Sequence, residues 1–276
     1  MVAAIAVQGY WEPHTSSIDF CEANYRFTPY VAELLNSVSS LPIALGGAWA
    51  WAYTPRPYSA WPRFALCWLA FIAIGLGSAA FHGTLRRTAQ AFDEVPMVLA
   101  NLVFVFCLLR PSEMQNRKLA SGLGVAALIL VVGYVIYEAY AVFFFMYGTV
   151  VVYLLVESWR RAFSSAASAS PNASVLRKLW LYGISAYGAG FVLWVADHVV
   201  CAQLGVGHLH ILWHALACMG TLIFVLLLLG LTADADGFQV QLKWLRCLLL
   251  PTMPFLELSK DGGNTNGHSD SSKKVS

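Results

Sequence analysis

Residues 208–231 read HLHILWHALACMGTLIFVLLLLGL. Three histidines head an uninterrupted apolar run. A run of this length meets the roughly 20 residues that a helix needs to cross the hydrocarbon core of a bilayer. The fold reading starts here, because the same pattern recurs along the chain. Charged residues make up 12% of the 276 residues and hydrophobic ones 58%, with a mean hydropathy of +0.62. Soluble domains carry about 25% charged residues. The composition therefore indicates an integral membrane protein.

Seven apolar spans can be drawn: 33–53, 63–82, 91–109, 119–137, 140–157, 179–200 and 211–231. Only Glu138 interrupts the fourth and fifth. A single helix over 119–157 would be nearly twice the hydrocarbon thickness at about 1.5 Å per residue, so two spans joined by a tight turn are expected. The fold class is an all-α membrane protein, a seven-transmembrane helix bundle. It divides into an N-terminal segment (1–32), the bundle (33–231) and a tail (232–276). The opening MVAAIAVQGYW lacks a positive n-region and a long apolar stretch, so no cleaved signal peptide is expected. The stretch FQVQLKWLRCLLL (238–250) is apolar and basic and suits a membrane interface. The last 18 residues have a disordered composition.

Seven spans place the termini on opposite sides. Arg26, Arg86 and Arg87 share the N-terminal side, three of the seventeen Lys and Arg, which leaves fourteen on the other. The positive-inside rule makes the fourteen-charge side cytosolic. The N-terminus is then lumenal or extracellular and the C-terminus cytosolic. The sequon Asn172-Ala173-Ser174 falls on the cytosolic side and is expected to stay unglycosylated. Of six cysteines, only Cys21 and Cys201 fall on the oxidising side, as one bridge or as two free thiols.

The same parity collects chemistry at one depth. His82 ends the second span, Asp93 and Glu94 open the third, and His210 and His214 open the seventh, four residues apart on one helix face. Ionisable residues inside a membrane mark function. Three imidazoles with an open fourth position make a catalytic zinc pattern. His208 points to another face and reads as a loop residue or a partner of a ligand. Asp197 reads either as the orienter of a ligating imidazole or as a cap or member of a local ion pair. Ser78, one turn before His82, is either an oxyanion donor or a small helix-packing residue. In the N-terminal segment, Asp19, Glu22, Asn24, Glu33 and a carbonyl near Phe20 offer oxygens of the kind calcium takes, although the spacing is not that of an EF-hand; the alternative is a solvated acidic loop.

Together, GYWEPHTSSIDFCEANY (9–25), PYVAELLNSVS (29–39), GSAAFHGTL (77–85), DEVPM (93–97), MYG (146–148), LWVADHVVC (193–201) and HILWHALACMG (210–220) resemble the alkaline ceramidases. That family sits in a superfamily of seven-span hydrolases that includes the adiponectin receptors. The resemblance implies zinc on His82, His210 and His214, with Ser78 and Asp93 as catalytic partners and Tyr147 as a further hydrogen-bonding group. It implies a calcium site at Asp19, Glu22, Asn24, Glu33 and the carbonyl of residue 20, tying the N-terminal segment to the first span. Phe20 stands where the family usually has Trp, and Leu212 where an aromatic is more common. The expected reaction is hydrolysis of ceramide to a sphingoid base and a fatty acid. The expected partners are that lipid and the bilayer, not nucleic acid. The C-terminal Lys273-Lys274-Val275-Ser276 resembles a dilysine retrieval signal read by coat proteins, which implies the endoplasmic reticulum membrane, with the Golgi as the alternative. A receptor on the same metal scaffold is the other reading, although the long receptor-type extramembrane domain is absent. No span contains the lysine a retinal protein requires, and no internal repeat points to a transporter.

Overall fold

The structure is a computed structural model that describes residues 8–109, 117–137, 140–204, 208–246 and 252–260. Seven long helices follow in order: α1 (Leu34–Ala52), α2 (Pro62–Thr84), α3 (Arg87–Leu108), α4 (Arg117–Tyr137), α5 (Tyr140–Phe163), α6 (Ala173–Leu204) and α7 (Leu209–Ala235). Each coincides with one of the seven expected spans. Among the described residues, α2, α3, α7 and Ala173–Val200 of α6 are long and apolar enough to cross a membrane. The chain is a multi-pass membrane protein.

The helix ends follow local chemistry. Pro62 occupies the first turn of α2, where its missing N–H costs nothing. Leu85 ends α2 in the left-handed region at φ 47°, and its carbonyl takes the Thr15 and Ser16 N–H groups at 3.1 Å. The N-terminal segment is thereby pinned across the helix end. Helix α3 begins four residues before its apolar span. Its polar first turn is used: Gln90 accepts from the Ser17 N–H at 2.9 Å and donates to Ser17 Oγ at 2.8 Å. A hydropathy window misses such a turn.

Two close helix contacts depend on glycine. A Cβ at Gly77 would lie 2.0 Å from the Phe92 carbonyl oxygen. Pro96, four residues on, has no N–H to occupy that carbonyl, so it is left facing α2. A Cβ at Gly220 would lie 2.6 Å from the Tyr187 nitrogen, which brings α6 against α7. Helix α7 is the most enclosed of the four spans, with half of its most apolar window buried. Leu222, Leu227, Leu228 and Leu229 are all fully enclosed in the main core beside Trp68 and Phe64. A helix apolar all round suits that central place.

The tail adds an element that an all-α reading omits. Strands β1 (Phe238–Leu245) and β2 (Met253–Lys260) pair antiparallel, Phe238 opposite Lys260 and Leu245 opposite Met253. Phe238, Val240, Leu242 and Trp244 alternate with Gln239, Gln241 and Lys243, the period-two pattern of a half-buried strand. Val240, Met253 and Leu256 join the main core. Asn172 staples the hairpin to the bundle. Its Nδ2 donates to Asp234 Oδ1 at 2.7 Å and to the Phe238 carbonyl at 2.8 Å, and its Oδ1 accepts the Val240 N–H at 2.8 Å. Tyr58 Oη donates to Asp236 Oδ2 at 2.6 Å nearby, and burial together with that bond raises the pKa of its hydroxyl.

Candidate metal centre

At the opposite end from the hairpin, the last turn of α2 meets the first turns of α7. His82, His210 and His214 are buried, and one potential ligand atom from each lies within 4.8 Å of the others. Among the described residues this is the one group of three or more His, Cys, Asp or Glu side chains whose ligand atoms converge this closely.

The hydrogen bonds around the rings fix which nitrogen faces inward. His82 Nδ1 donates to Glu33 Oε2 at 2.6 Å. Ser39 Oγ gives its single proton to the Asn36 carbonyl at 3.0 Å. At 2.7 Å from His214 Nδ1 it accepts from that ring when the imidazole carries its proton there. With the proton on Nδ1, bonded in this way, each ring presents an Nε2 lone pair. His210 Nδ1 is buried with no hydrogen-bond partner in the protein. Converging lone pairs repel unless a cation sits among them. The donor set is three imidazole nitrogens, the catalytic zinc pattern, so the residues fit that metal.

Glu33, expected as a calcium ligand, is tied to the histidine centre. Its carboxylate, fully enclosed, holds His82 and also accepts the Phe20 N–H at 3.1 Å and Asn36 Nδ2 at 3.1 Å. Glu22 takes the Leu35 and Asn36 N–H groups at 2.8 Å each and so caps α1 from a distance. Asn24 Nδ2 reaches both oxygens of Asp19, at 3.4 and 3.2 Å. The structure thus brings the four expected calcium-ligating side chains to one region. Phe20 enters differently from expectation: its ring lies 3.9 Å from the His210 ring and 5.0 Å from that of His82, centroid to centroid, and covers the cluster.

Among the described residues, Asp197 bonds backbone N–H groups rather than an imidazole. Its Oδ1 accepts the backbone N–H of His210 at 3.2 Å, and its Oδ2 accepts the Cys21 N–H at 3.3 Å. It caps the first turn of α7 and ties the N-terminal segment to α6. His208 stands exposed at the N-cap of α7. Cys21 is disulfide-bonded. The side chain of Cys201 lies outside the described residues, as do Lys273 and Lys274.

A largely apolar cavity of about 210 Å³ opens beside the histidines, and Ser78, Asp93 and Tyr147 all line it. Ser78 is buried, faces the Asp93 carboxyl and lies 3.1 Å from Ser40 Oγ. Tyr147 Oη is 2.7 Å from Tyr187 Oη. Ser39, Ser40 and Tyr187 escaped the sequence reading. The one signal available was the i, i+3, i+4 spacing of Glu33, Asn36, Ser37 and Ser40 through an otherwise apolar helix.

Fold and site define a helical membrane protein with a buried three-histidine centre opening on an apolar cavity. The ceramidase family model matches residues 12–254, and the chain belongs to the ceramidase family, amidohydrolases that act on ceramide. It is 29% identical to mouse alkaline ceramidase 3, over 82% of this chain and 87% of that protein. It is 23% identical to an alkaline ceramidase of Arabidopsis thaliana, over 93% and 98% of the two chains. An alkaline ceramidase of Saccharomyces cerevisiae is 25% identical, over 80% and 78%.

Proposed function

We propose that this chain carries out zinc-dependent hydrolysis of the ceramide amide bond. The observation that supports this best is the histidine cluster beside Ser78 and Asp93, all opening on one apolar cavity. Zinc held by His82, His210 and His214 would polarise the amide carbonyl and make water nucleophilic near neutral pH. Asp93 takes the proton of the attacking water and delivers it to the leaving amine. The C–N bond breaks as the new C–O bond forms, giving a free fatty acid and a sphingoid base. Ser78 donates a hydrogen bond to the developing oxyanion. Tyr147, paired with Tyr187, supplies a further donor at the cavity wall.

Calcium belongs to the same reading. Asp19, Glu22, Asn24, Glu33 and the Phe20 carbonyl are its ligands. In support, Asn24 Oδ1 is buried with no protein partner, and the Asp19 and Glu33 carboxyls interact directly. The ion would hold the segment that carries the Phe20 cover. Cys21 pairs with Cys201, one turn beyond the Asp197 that already binds the Cys21 backbone. The metal end faces the lumen and the hairpin the cytosol, an orientation the charge asymmetry supports. The dilysine of the tail then addresses the protein to the endoplasmic reticulum.

The test is product analysis on the purified protein with ceramide and phytoceramide at alkaline pH with calcium. Wild type should release free sphingoid base and His210→Ala should not. No release by wild type with zinc present would overturn the assignment and favour a structural metal.

A further inference from the structure

Two phenols meet in the wall of the cavity that opens beside the histidines. Tyr147 comes from α5 and Tyr187 from α6, both line the cavity, and their hydroxyl oxygens are 2.7 Å apart. Among the described residues neither hydroxyl has another hydrogen-bond partner. An O–H···O bond uses one proton of such a pair. One hydroxyl therefore gives its proton to the other, and the acceptor keeps its own for whatever occupies the cavity.

Two observations bear on which is which. The Asp93 carboxyl acts electrostatically on Tyr147, whereas the group that acts on Tyr187 is Tyr147 itself. An ionised Asp93 draws the positive end of the Tyr147 O–H dipole toward itself. That leaves a Tyr147 lone pair to accept from Tyr187. The second observation is what holds each ring. Tyr147 stacks on Phe143 of its own helix, at 5.6 Å and 29°. Tyr187 is braced by α7. Its ring stands edge-on to Trp213, the neighbour of His214, at 5.5 Å and 71°, and its backbone nitrogen occupies the space that a Cβ at Gly220 would take. Tyr187 is thus fixed to the helix that carries His210 and His214, whereas Tyr147 arrives on a separate helix.

We propose that Tyr187 is a positioning residue for the hydrolysis: it donates to Tyr147 Oη and so aims the Tyr147 proton at the oxygen of the substrate amide. The proposal rests on the hydrolase reading above. Tyr187 passes no proton to the substrate. Its bond stops the Tyr147 hydroxyl from rotating about its C–O bond and, by polarising it, makes it a stronger donor. The gain grows as negative charge builds on the amide oxygen, so it falls on kcat rather than on KM.

The experiment is a double-mutant cycle with Tyr147→Phe and Tyr187→Phe, each of which removes one oxygen and keeps the ring. Both kcat and KM for ceramide are measured in wild type, the two single variants and the double variant, all at matched zinc content. Tyr147→Phe should lose about a hundredfold in kcat, the cost of an oxyanion donor. Tyr187→Phe should lose about tenfold with KM unchanged, the worth of one hydrogen bond. In the Tyr147→Phe background the same change should cost nothing further, because no hydroxyl is left to aim. A general loss of folded protein lowers activity in both backgrounds alike, so the difference between backgrounds is the readout. A phosphinate analogue of the tetrahedral intermediate should bind Tyr187→Phe more weakly by the same factor that kcat falls. Wild-type kcat in either single variant, or equal losses in the two backgrounds, overturns the assignment while leaving the hydrolase intact. A larger loss from Tyr187→Phe than from Tyr147→Phe also overturns it, by making Tyr187 the donor to substrate. Failure of wild type to cleave any ceramide overturns both readings.

Discussion

Glu33 Oε2 accepts a hydrogen bond from His82 Nδ1 at 2.6 Å, with both side chains closed off from solvent. A residue that reads as a calcium ligand therefore stands directly behind one of the three clustered histidines. Partners of this kind fix ring orientation and raise ligand basicity, and losing one costs about 10–100-fold in metal affinity or activity. Glu33→Ala should lower zinc affinity by that factor, measured by metal content after equilibration in zinc buffers. Full zinc retention with lost activity would mean that Glu33 acts through calcium alone. Ser39→Ala, which removes the partner of His214, should fall at the mild end of the same range.

Gly77 carries the contact that sets Ser78 against Asp93. Alanine there places a methyl 2.0 Å from the Phe92 carbonyl oxygen, on the residue next to Asp93. Helix α3 must move away from α2 by more than an ångström. Displacement on that scale costs about a hundredfold in rate. Gly77→Ala should thus lose about two orders of magnitude in kcat with zinc still bound, since all three histidines lie outside the disturbed contact. Wild-type kcat in this variant would show that Asp93 and Ser78 need no fixed separation.

Much of the site was legible because topology orders it. The parity of the spans put His82, Asp93, His210 and His214 at one depth, and the structure brings them together. The parts that were not legible depend on geometry no pattern encodes. Ser39 and Ser40 look like packing residues until the rotation of α1 aims them at His214 and Ser78. Asp197 lies close enough to the histidines to orient a ring, and only the backbone direction of His210 decides that it caps instead. Phe20 drew attention for its carbonyl, while its ring is what touches the cluster. The hairpin was legible in the alternation from Phe238 to Trp244, but amphipathic basic residues beside a membrane suggested an interfacial stretch first.

Calcium should act through the fold of the N-terminal segment. A ligand at a hundredfold excess over its Kd adds about 2.7 kcal/mol of stability, or a Tm rise of roughly 5–10 °C in a chain of this size. Wild type should gain that shift, and Asn24→Leu should lose most of it while still binding zinc. Unchanged activity and Tm on calcium chelation would remove the ion from the account. Glu22→Gln separates the two uses of that residue. An amide keeps one acceptor for the end of α1, so a small loss of Tm without calcium and a larger loss of calcium response is expected.

Asn172 spends its whole amide on the hairpin, two bonds donated and one accepted, with its side chain buried. This gives the sequon a reason to remain unglycosylated that is independent of which side it faces, because a glycan on Nδ2 would replace one of the two protons that bind Asp234 and Phe238. Asn172→Leu keeps the volume and strands the Val240 N–H and the Phe238 carbonyl, at a cost of about 2 kcal/mol. The expected result is a Tm lower by roughly 4–8 °C, together with faster proteolysis between α7 and β2. The histidine centre lies at the other end of α7, so the zinc content and kcat/KM of the surviving folded protein should be unchanged. A variant with wild-type Tm would mean that Val240, Met253 and Leu256 hold the hairpin by burial alone. Loss of zinc alongside the hairpin would show that α7 transmits strain along its whole length.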